Sequence, residues 1–294
     1  GWPDSGRPET LTAMDEPVPA KPFVKWAGGK QALLDALRPH FPDACGRYYE
    51  PFLGGGSVLF GLAPLHAIVG DRNDWLLDTY EAIRDDWTAV ARILDELPNT
   101  REDYLRIRAV PPAALPRPQR AAHFIYLNKT GFRGLFRVNR SGAFNVPYGA
   151  YDRRYYDPEN LEAAAERLRT VTIRRGDFES VLEDARAGDF AYLDPPYAPL
   201  GGHADFNRYT DAPFGAADHE RLAACCRALA ARKVAFALSN HDLPWVRELY
   251  AGFHHVVLDA RRDINLRSSR RAIQELLVVH RPDADAPAHE ESRG

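Results

Sequence analysis

Apolar and polar positions along this chain follow two periods. Short apolar runs at 48–52 and 67–70 predict strands, and the first is followed by a glycine loop. From Leu76 the apolar residues recur as Leu76, Tyr80, Ile83, Trp87, Val90, Leu94 and Leu97. Steps of three and four place them on one helical face, so Trp87 is expected in the core rather than against a ligand. Five prolines from Pro98 to Pro118 then interrupt the pattern around one short helical piece, and a helix over 119–129 follows. The stretch 131–149 is rich in Gly, Arg and Asn. Its turn residues Asn139, Ser141 and Gly142 predict a hairpin or an irregular loop.

After this the alternation resumes. Strands are predicted at 171–174, 190–194, 234–238, 254–258 and 276–280, with helices over 31–37, 215–232 and 243–250. Strands alternating with helices argue for an α/β fold with a mostly parallel sheet covered on both faces. The last two strands have little room for a helix between them and could form an antiparallel hairpin at one end of the sheet. Residues 75–157 break the alternation and read as an inserted domain, between a main domain formed by 21–74 and 158–282. The polar, aperiodic ends, 1–20 and 283–294, read as disordered tails.

Composition narrows the class. The 294 residues are 45% hydrophobic and 27% charged, too apolar for intrinsic disorder and with no run long enough to cross a membrane. No signal segment is visible at the N-terminus, and three cysteines (Cys45, Cys225, Cys226) cannot build a disulfide framework. A soluble protein of a reducing cytoplasm is expected. The formal net charge of −3 gives no global sign of a nucleic-acid partner, yet six basic residues face one acid between Lys129 and Arg154. That run suits either a solvated face or a polyanion. Five arginines in 261–271 pose the same choice between a mobile charged loop and a contact with a duplex backbone. Ten dispersed histidines argue against a metal site.

Three motifs carry candidate chemistry. Glu50-Pro51-Phe52-Leu53-Gly54-Gly55-Gly56-Ser57 follows a strand, where glycines let backbone approach a ligand closely. Asp71 ends the next strand, where an acid can bind ribose hydroxyls. A tight turn beside a surface aspartate would read the same way. Asp194-Pro195-Pro196-Tyr197 follows the apolar strand at 190–193. Two prolines turn the chain rigidly out of the sheet and leave carbonyls beside a carboxylate and a ring. Acceptors plus a stacking face, with no nucleophile, suit an exocyclic amine on an extruded base. Phe23 to Lys30 holds Trp and Lys beside paired glycines, fit for a lid over a cofactor or for a cap onto the core.

Taken in order, FVKWAGGK, EPFLGGGS, VGDRN, LNKTGFRGLFRVNRSGAFNVPYG, YLDPPYAPL and LSNHD resemble the Dam family of DNA adenine N6-methyltransferases. The resemblance runs from about residue 23 to residue 282. It implies a Rossmann-like methyltransferase sheet that uses S-adenosylmethionine (AdoMet), with an inserted, mainly helical target-recognition domain carrying a β-hairpin. It also implies a cytoplasmic enzyme of bacterial, archaeal or phage origin, monomeric, without metal or membrane, acting on double-stranded DNA. By the same resemblance, Trp26, Ala27 and Lys30 meet the methionine end of the cofactor, while Phe52, Gly54 and Gly56 form its loop. Asp71 would hold its ribose, and Asp177 and Phe178 its adenine. Asp194, Pro195, Pro196 and Tyr197 match the catalytic tetrapeptide, with Asp194 also beside the cofactor.

For the duplex, the resemblance implies Lys25, Phe132, Arg133, Leu135, Arg137, Asn139, Pro147 and Tyr151. Phe132 stands where Dam has Tyr, Arg133 replaces an Asn and Ala150 replaces an Arg. Lys25, Leu135, Arg137 and Pro147 are retained and favour GATC as the target. The expected activity is therefore site-specific methylation of adenine N6. A cytosine-N4 enzyme shares the chemistry, but usually carries Ser where this chain has Asp194. A cytosine-C5 enzyme needs a nucleophilic Cys, for which Cys45, Cys225 and Cys226 are badly placed. RNA adenine and protein-glutamine methyltransferases more often carry Asn at that position. A catalytically silent DNA-binding module would not need the intact loop together with Asp194 and Tyr197.

Overall fold

A computed structural model describes residues 19–197, 214–258 and 274–282. The tails (apart from residues 19 and 20) and the arginine-rich 261–271 lie outside them. Seven strands form one sheet: β1 Tyr48–Glu50, β2 Ala67–Asp71, β3 Val171–Arg175, β4 Phe190–Leu193, β5 Ala235–His241, β6 His254–Leu258 and β7 Glu275–His280. Their order is β3-β2-β1-β4-β5-β7-β6. Pairs β3–β2, β2–β1, β1–β4 and β4–β5 are parallel, whereas β7 runs antiparallel between β5 and β6. The late hairpin therefore enters the sheet with β7 inside and β6 at the edge.

The central strands are continuous apolar runs because both faces are covered. Alternate side chains feed two cores. Tyr48, Val69 and Tyr192 pack on one face, while Tyr49, Ile68, Ala191 and Leu193 pack on the other. Around the sheet lie α1 Leu34–Leu37, α2 Ser57–Leu62, α3 Asp74–Asp95, α4 Arg101–Arg108, α5 Arg117–Thr130, α6 Pro158–Leu168, α7 Phe178–Leu182, α8 Ala216–Ala231 and α9 Pro244–Leu249. None of the described helices is long and apolar enough to cross a membrane.

Several expected elements changed length. The helix expected over 31–37 shortens to α1, then tightens into a 3₁₀ turn at Arg38–His40 that contains Pro39. The single periodic helix from Leu76 is two helices end to end: Asp86 has φ −160° and ψ 77°. Its carboxylate accepts the Ala89 N–H (3.0 Å) and the Thr88 hydroxyl (2.7 Å), so it caps the second half of α3. Helix α5 begins at Arg117 because Pro118 falls in its first turn, where no N–H is needed. Two helices escaped prediction. In α6, Asp157 caps Glu159 N (3.1 Å), and Leu161, Ala164, Ala165 and Leu168 are buried at helical spacing. In α7, five residues are too few to show a period.

The segment after α5 forms a loose hairpin. Its arms form no continuous ladder, only isolated antiparallel bridges of Gly131 with Tyr148 and Val138 with Phe144, together with scattered hydrogen bonds. At its tip, Asn139 N donates to Ala143 O (2.8 Å), and the Asn139 side-chain oxygen accepts Ser141 N and Ala143 N.

Candidate active site

Strand β1 ends at Glu50 and the chain turns through residues 51–56 into α2. Gly54 has φ +49° and Gly56 φ +71°, conformations that side chains disfavour. A Cβ on Gly54 would stand 2.6 Å from Trp26 Cδ1, and one on Gly56 2.7 Å from Tyr80 Oη. The loop thus lies directly against the indole of Trp26. Gly54 N donates to Asp71 Oδ2 and Asn73 N to Asp71 Oδ1, both at 2.9 Å. Burial raises the Asp71 carboxyl above its ordinary range, against the pull of those amides.

These residues border a cavity of about 510 Å³. Trp26, Ala27, Lys30, Phe52, Gly54, Gly56 and Asp71 line it, and so do Asp194, Pro195, Pro196 and Tyr197. The position, outside the carboxyl ends of β1, β2 and β4, is the usual ligand site of an open α/β sheet. Its glycine floor, an acid with two ordered oxygens and its volume suit a nucleoside-sized cofactor such as AdoMet.

Asp194 sits just beyond β4. The buried Lys30 ammonium donates to Asp194 Oδ2 (2.8 Å) and to the Gly28 carbonyl (2.7 Å). Burial pushes the Asp194 carboxyl up to about 6; Lys30 pulls it down, Glu275 pushes it up and the Tyr197 hydroxyl lowers it. At neutral pH it is therefore mainly a carboxylate. Tyr197 Oη donates to Glu275 Oε1 at 2.8 Å. The ring stands edge-on to His241, centroids 4.9 Å apart, and Lys30 Nζ lies 4.9 Å from its centroid. Burial, then the charges of Asp194 and Glu275, hold the phenol far above its ordinary range, so it keeps its proton.

Glu50 lines the same cavity and is fully buried. Burial pushes it up to about 8, although the Tyr48 hydroxyl (2.8 Å) and the Leu59 N–H both favour its charge. The cavity thus holds a neutral acid, Glu50, and a charged one, Asp194. Cys225 is pushed up to about 11 by burial, and buried Cys226 is raised as well, so neither offers a thiolate. No group of three or more His, Cys, Asp or Glu among the described residues could hold a metal ion.

Asp177 and Phe178 stand apart from the cavity lining. The Asp177 carboxylate caps α7 through Phe178 N (2.8 Å) and pairs with Arg221. The Phe178 ring lies behind Phe52 and Phe214, 5.7 and 6.2 Å away. Among the residues at the site that carried no predicted role are Glu50, Arg72, Phe214 and Glu275. An acid inside an apolar strand was a visible signal for Glu50. The same holds for Glu275, which opens the run Leu276 to Val279. Phe214 has no local signal, because only the folded chain brings it to Phe52.

The residues expected to meet DNA form a linked ridge beside the cavity. Phe132 (43% exposed), Leu135 (38%) and Val138 (43%) are half of the large apolar side chains exposed among the described residues. Phe132 N donates to Pro147 O (2.8 Å) and Arg133 N to the Tyr151 hydroxyl (3.0 Å). The Arg153 guanidinium lies 3.9 Å from the centre of the Tyr151 ring. Arg137 is braced by Asn145 Oδ1 (2.7 Å). Lys25 joins the ridge through Asn128, whose side chain accepts Lys25 N (2.8 Å) and donates to the carbonyls of Lys25 (2.8 Å) and Gly134 (3.1 Å). Burial, then Lys25 and Arg153, lower partly buried Lys129 to about 8.

Known proteins carry the same arrangement of sequence. A family model for D12 class N6 adenine-specific DNA methyltransferase matches residues 26–264. The type II methyltransferase M1.LlaDCHI of Lactococcus lactis subsp. cremoris is 36% identical over 270 residues, covering 88% of this chain and 95% of that protein. The type II methyltransferase M.MjaIII of Methanocaldococcus jannaschii is 36% identical over 288 residues, covering 88% and 99%. DNA adenine methylase of Escherichia coli K12 is 33% identical over 273 residues, covering 90% and 97%. With a loop-and-carboxylate cavity beside an exposed apolar and basic ridge, a family model matched over most of the chain and relatives matched over nearly their full length, this chain belongs to the D12 class of N6 adenine-specific DNA methyltransferases.

Proposed function

We propose that this chain methylates adenine N6 in double-stranded DNA at a specific site, GATC, using AdoMet as donor and acting on a base swung out of the helix. The observation that carries this reading is a single cavity shared by the glycine loop and the Asp194–Tyr197 tetrapeptide. AdoMet, when bound, supplies a methyl group made electrophilic by a sulfonium. Gly54, Gly56 and Asp71 would hold its nucleoside end, while Trp26 and Lys30 would hold the methionine end. Lys25, Leu135, Arg137 and Pro147 support GATC.

The amine of adenine is a weak nucleophile because its lone pair is delocalised into the ring. In this reading Asp194 accepts one of its hydrogens and the Pro195 carbonyl the other. Those bonds draw the nitrogen towards tetrahedral character and offset the positive charge that grows on it. The charged acceptor makes the stronger bond. Unstacking the base costs a few kcal/mol, and stacking on Tyr197 returns ~1–3 kcal/mol of it. Phe132, 43% exposed, would fill the gap left in the duplex.

Tritiated methyl transfer to unmethylated DNA tests the reading. Asp194→Ala is expected to lose at least ~100-fold in rate; near-normal turnover would remove the mechanism. Label recovered on cytosine would remove the substrate. Digestion of plasmid exposed to the enzyme, with nucleases blocked by or dependent on GATC methylation, tests the site.

A further inference from the structure

Tyr197 has one hydroxyl proton and two carboxylates near it. Its Oη donates to Glu275 Oε1 at 2.8 Å, and the same hydroxyl also favours the charged form of Asp194. Glu275 belongs to the antiparallel strand β7, opposite His241 of β5 in the register. Because β5 runs parallel to β4, with Leu193 beside Leu238, the end of β5 and the start of β7 reach the same sheet edge as Asp194. Glu275 is 9% exposed there, and His241 packs its ring against Tyr197 from the same side. The phenol is thus held from the β5–β7 edge.

We propose that Glu275 is a positioning residue for methyl transfer: it takes the Tyr197 proton, and so keeps that proton off Asp194 while fixing the ring. The inference rests on the function proposed above. If Glu275 could not accept, the phenol would turn its proton to Asp194, the other carboxylate whose charged form its hydroxyl favours. Asp194 would then be partly occupied when the adenine amine arrives. The ring would also lose its anchor, since the bond to Glu275 joins it to the sheet.

Three variants test this: Glu275→Leu, Glu275→Gln and Tyr197→Phe, with Tyr197→Phe also combined with Glu275→Leu. The readout is single-turnover transfer of tritiated methyl from saturating AdoMet to unmethylated genomic DNA, with thermal midpoint and AdoMet affinity measured alongside. Glu275→Leu is expected to slow transfer roughly tenfold, the worth of a hydrogen bond to a charged group. Glu275→Gln, whose amide oxygen still accepts, should stay within about twofold. In the Tyr197→Phe background, which keeps the ring but has no proton to misdirect, Glu275→Leu should add no more than about twofold.

A merely structural role predicts the reverse: an equal loss with and without the hydroxyl, or Gln no better than Leu. Either result overturns the proposal. Transfer by Glu275→Leu at the wild-type rate overturns it too. Wild-type transfer to adenine is the control for the functional reading. Its absence would overturn that reading and this inference together, whereas wild-type transfer with uncoupled variants would overturn this inference alone.

Discussion

Replacing Glu50 with Gln should flatten the dependence of stability on pH. The folded protein holds this acid at about 8, chiefly through burial, against an ordinary value of 4.5. Between those values the folded chain keeps a proton that the unfolded chain has lost, so folding weakens as pH rises. The stability linked to Glu50 is fully present below 4.5 and gone once pH passes about 8. Each pH unit in that window is worth ~1.4 kcal/mol, so wild type should lose roughly 2–3 kcal/mol between about pH 5.5 and 7.5 through this group alone. Glu50→Gln, which cannot titrate, should lose none of it. The slope is the quantity to read, because the offset mixes in a second effect. A Gln oxygen can still accept the Tyr48 hydroxyl, but its amide cannot also accept the Leu59 N–H. Urea unfolding at a series of pH values measures both curves. Parallel curves would refute the reasoning and show that Glu50 enters the fold charged.

Three further outcomes are expected. Gly54→Ala places a Cβ 2.6 Å from Trp26 Cδ1 at φ +49°, so AdoMet affinity by calorimetry should fall at least ~tenfold, and an unchanged Kd would contradict the cradle. The pH profile of kcat/KM should fall on the acid side with an apparent pKa of about 6, because protonated Asp194 cannot accept from the amine; a flat profile between about pH 5 and 8 would separate Asp194 from catalysis. Arg133 sits at φ +58°, so Arg133→Asn should raise the unfolding free energy by about 0.5 kcal/mol after losing the arginine's contact with Phe132, and the urea midpoint with it; a lower midpoint would count against strain there.

Much of this was legible in sequence because it depends on local order. The alternation of Tyr48 with Tyr49 and of Ile68 with Val69 between two cores appears as an unbroken apolar run, which is what a sheet covered on both sides requires. The glycine loop and Asp194–Tyr197 were visible because each follows a strand, and the fold then brings both to one sheet edge. Other features depended on distant partners. The break at Asp86 leaves the helical period intact, since the second half of α3 resumes on the same apolar face. Glu275 gained its role only when β7 entered the sheet antiparallel beside β5, a pairing that no spacing in the chain encodes. Asp177, placed by resemblance near a cofactor, is bonded to Arg221 from α8, which lies 44 residues away along the chain.

The ridge and the cavity are mechanically one object. Lys25 and Trp26 are adjacent in the chain, and each is held by the segment that carries the ridge. Asn128 ties the Lys25 backbone to Gly134, and a Cβ on Gly134 would stand 2.6 Å from Lys25 Cδ. Trp26, which lines the cavity, stacks on Phe136 with centroids 5.7 Å apart, and Phe136 lies between Leu135 and Arg137. Phe136 in turn packs on Trp75 and on Phe124 and Phe144, and the last two belong to the core cluster that also holds Val69 of β2 and Phe60 of α2. Interiors this dense transmit small displacements rather than absorbing them. The Trp26 ring is thus linked through Phe136 to the stretch that carries Leu135 and Arg137. The packing passes through residue 75 unbroken, so the ridge is placed relative to Asp194 by the core itself.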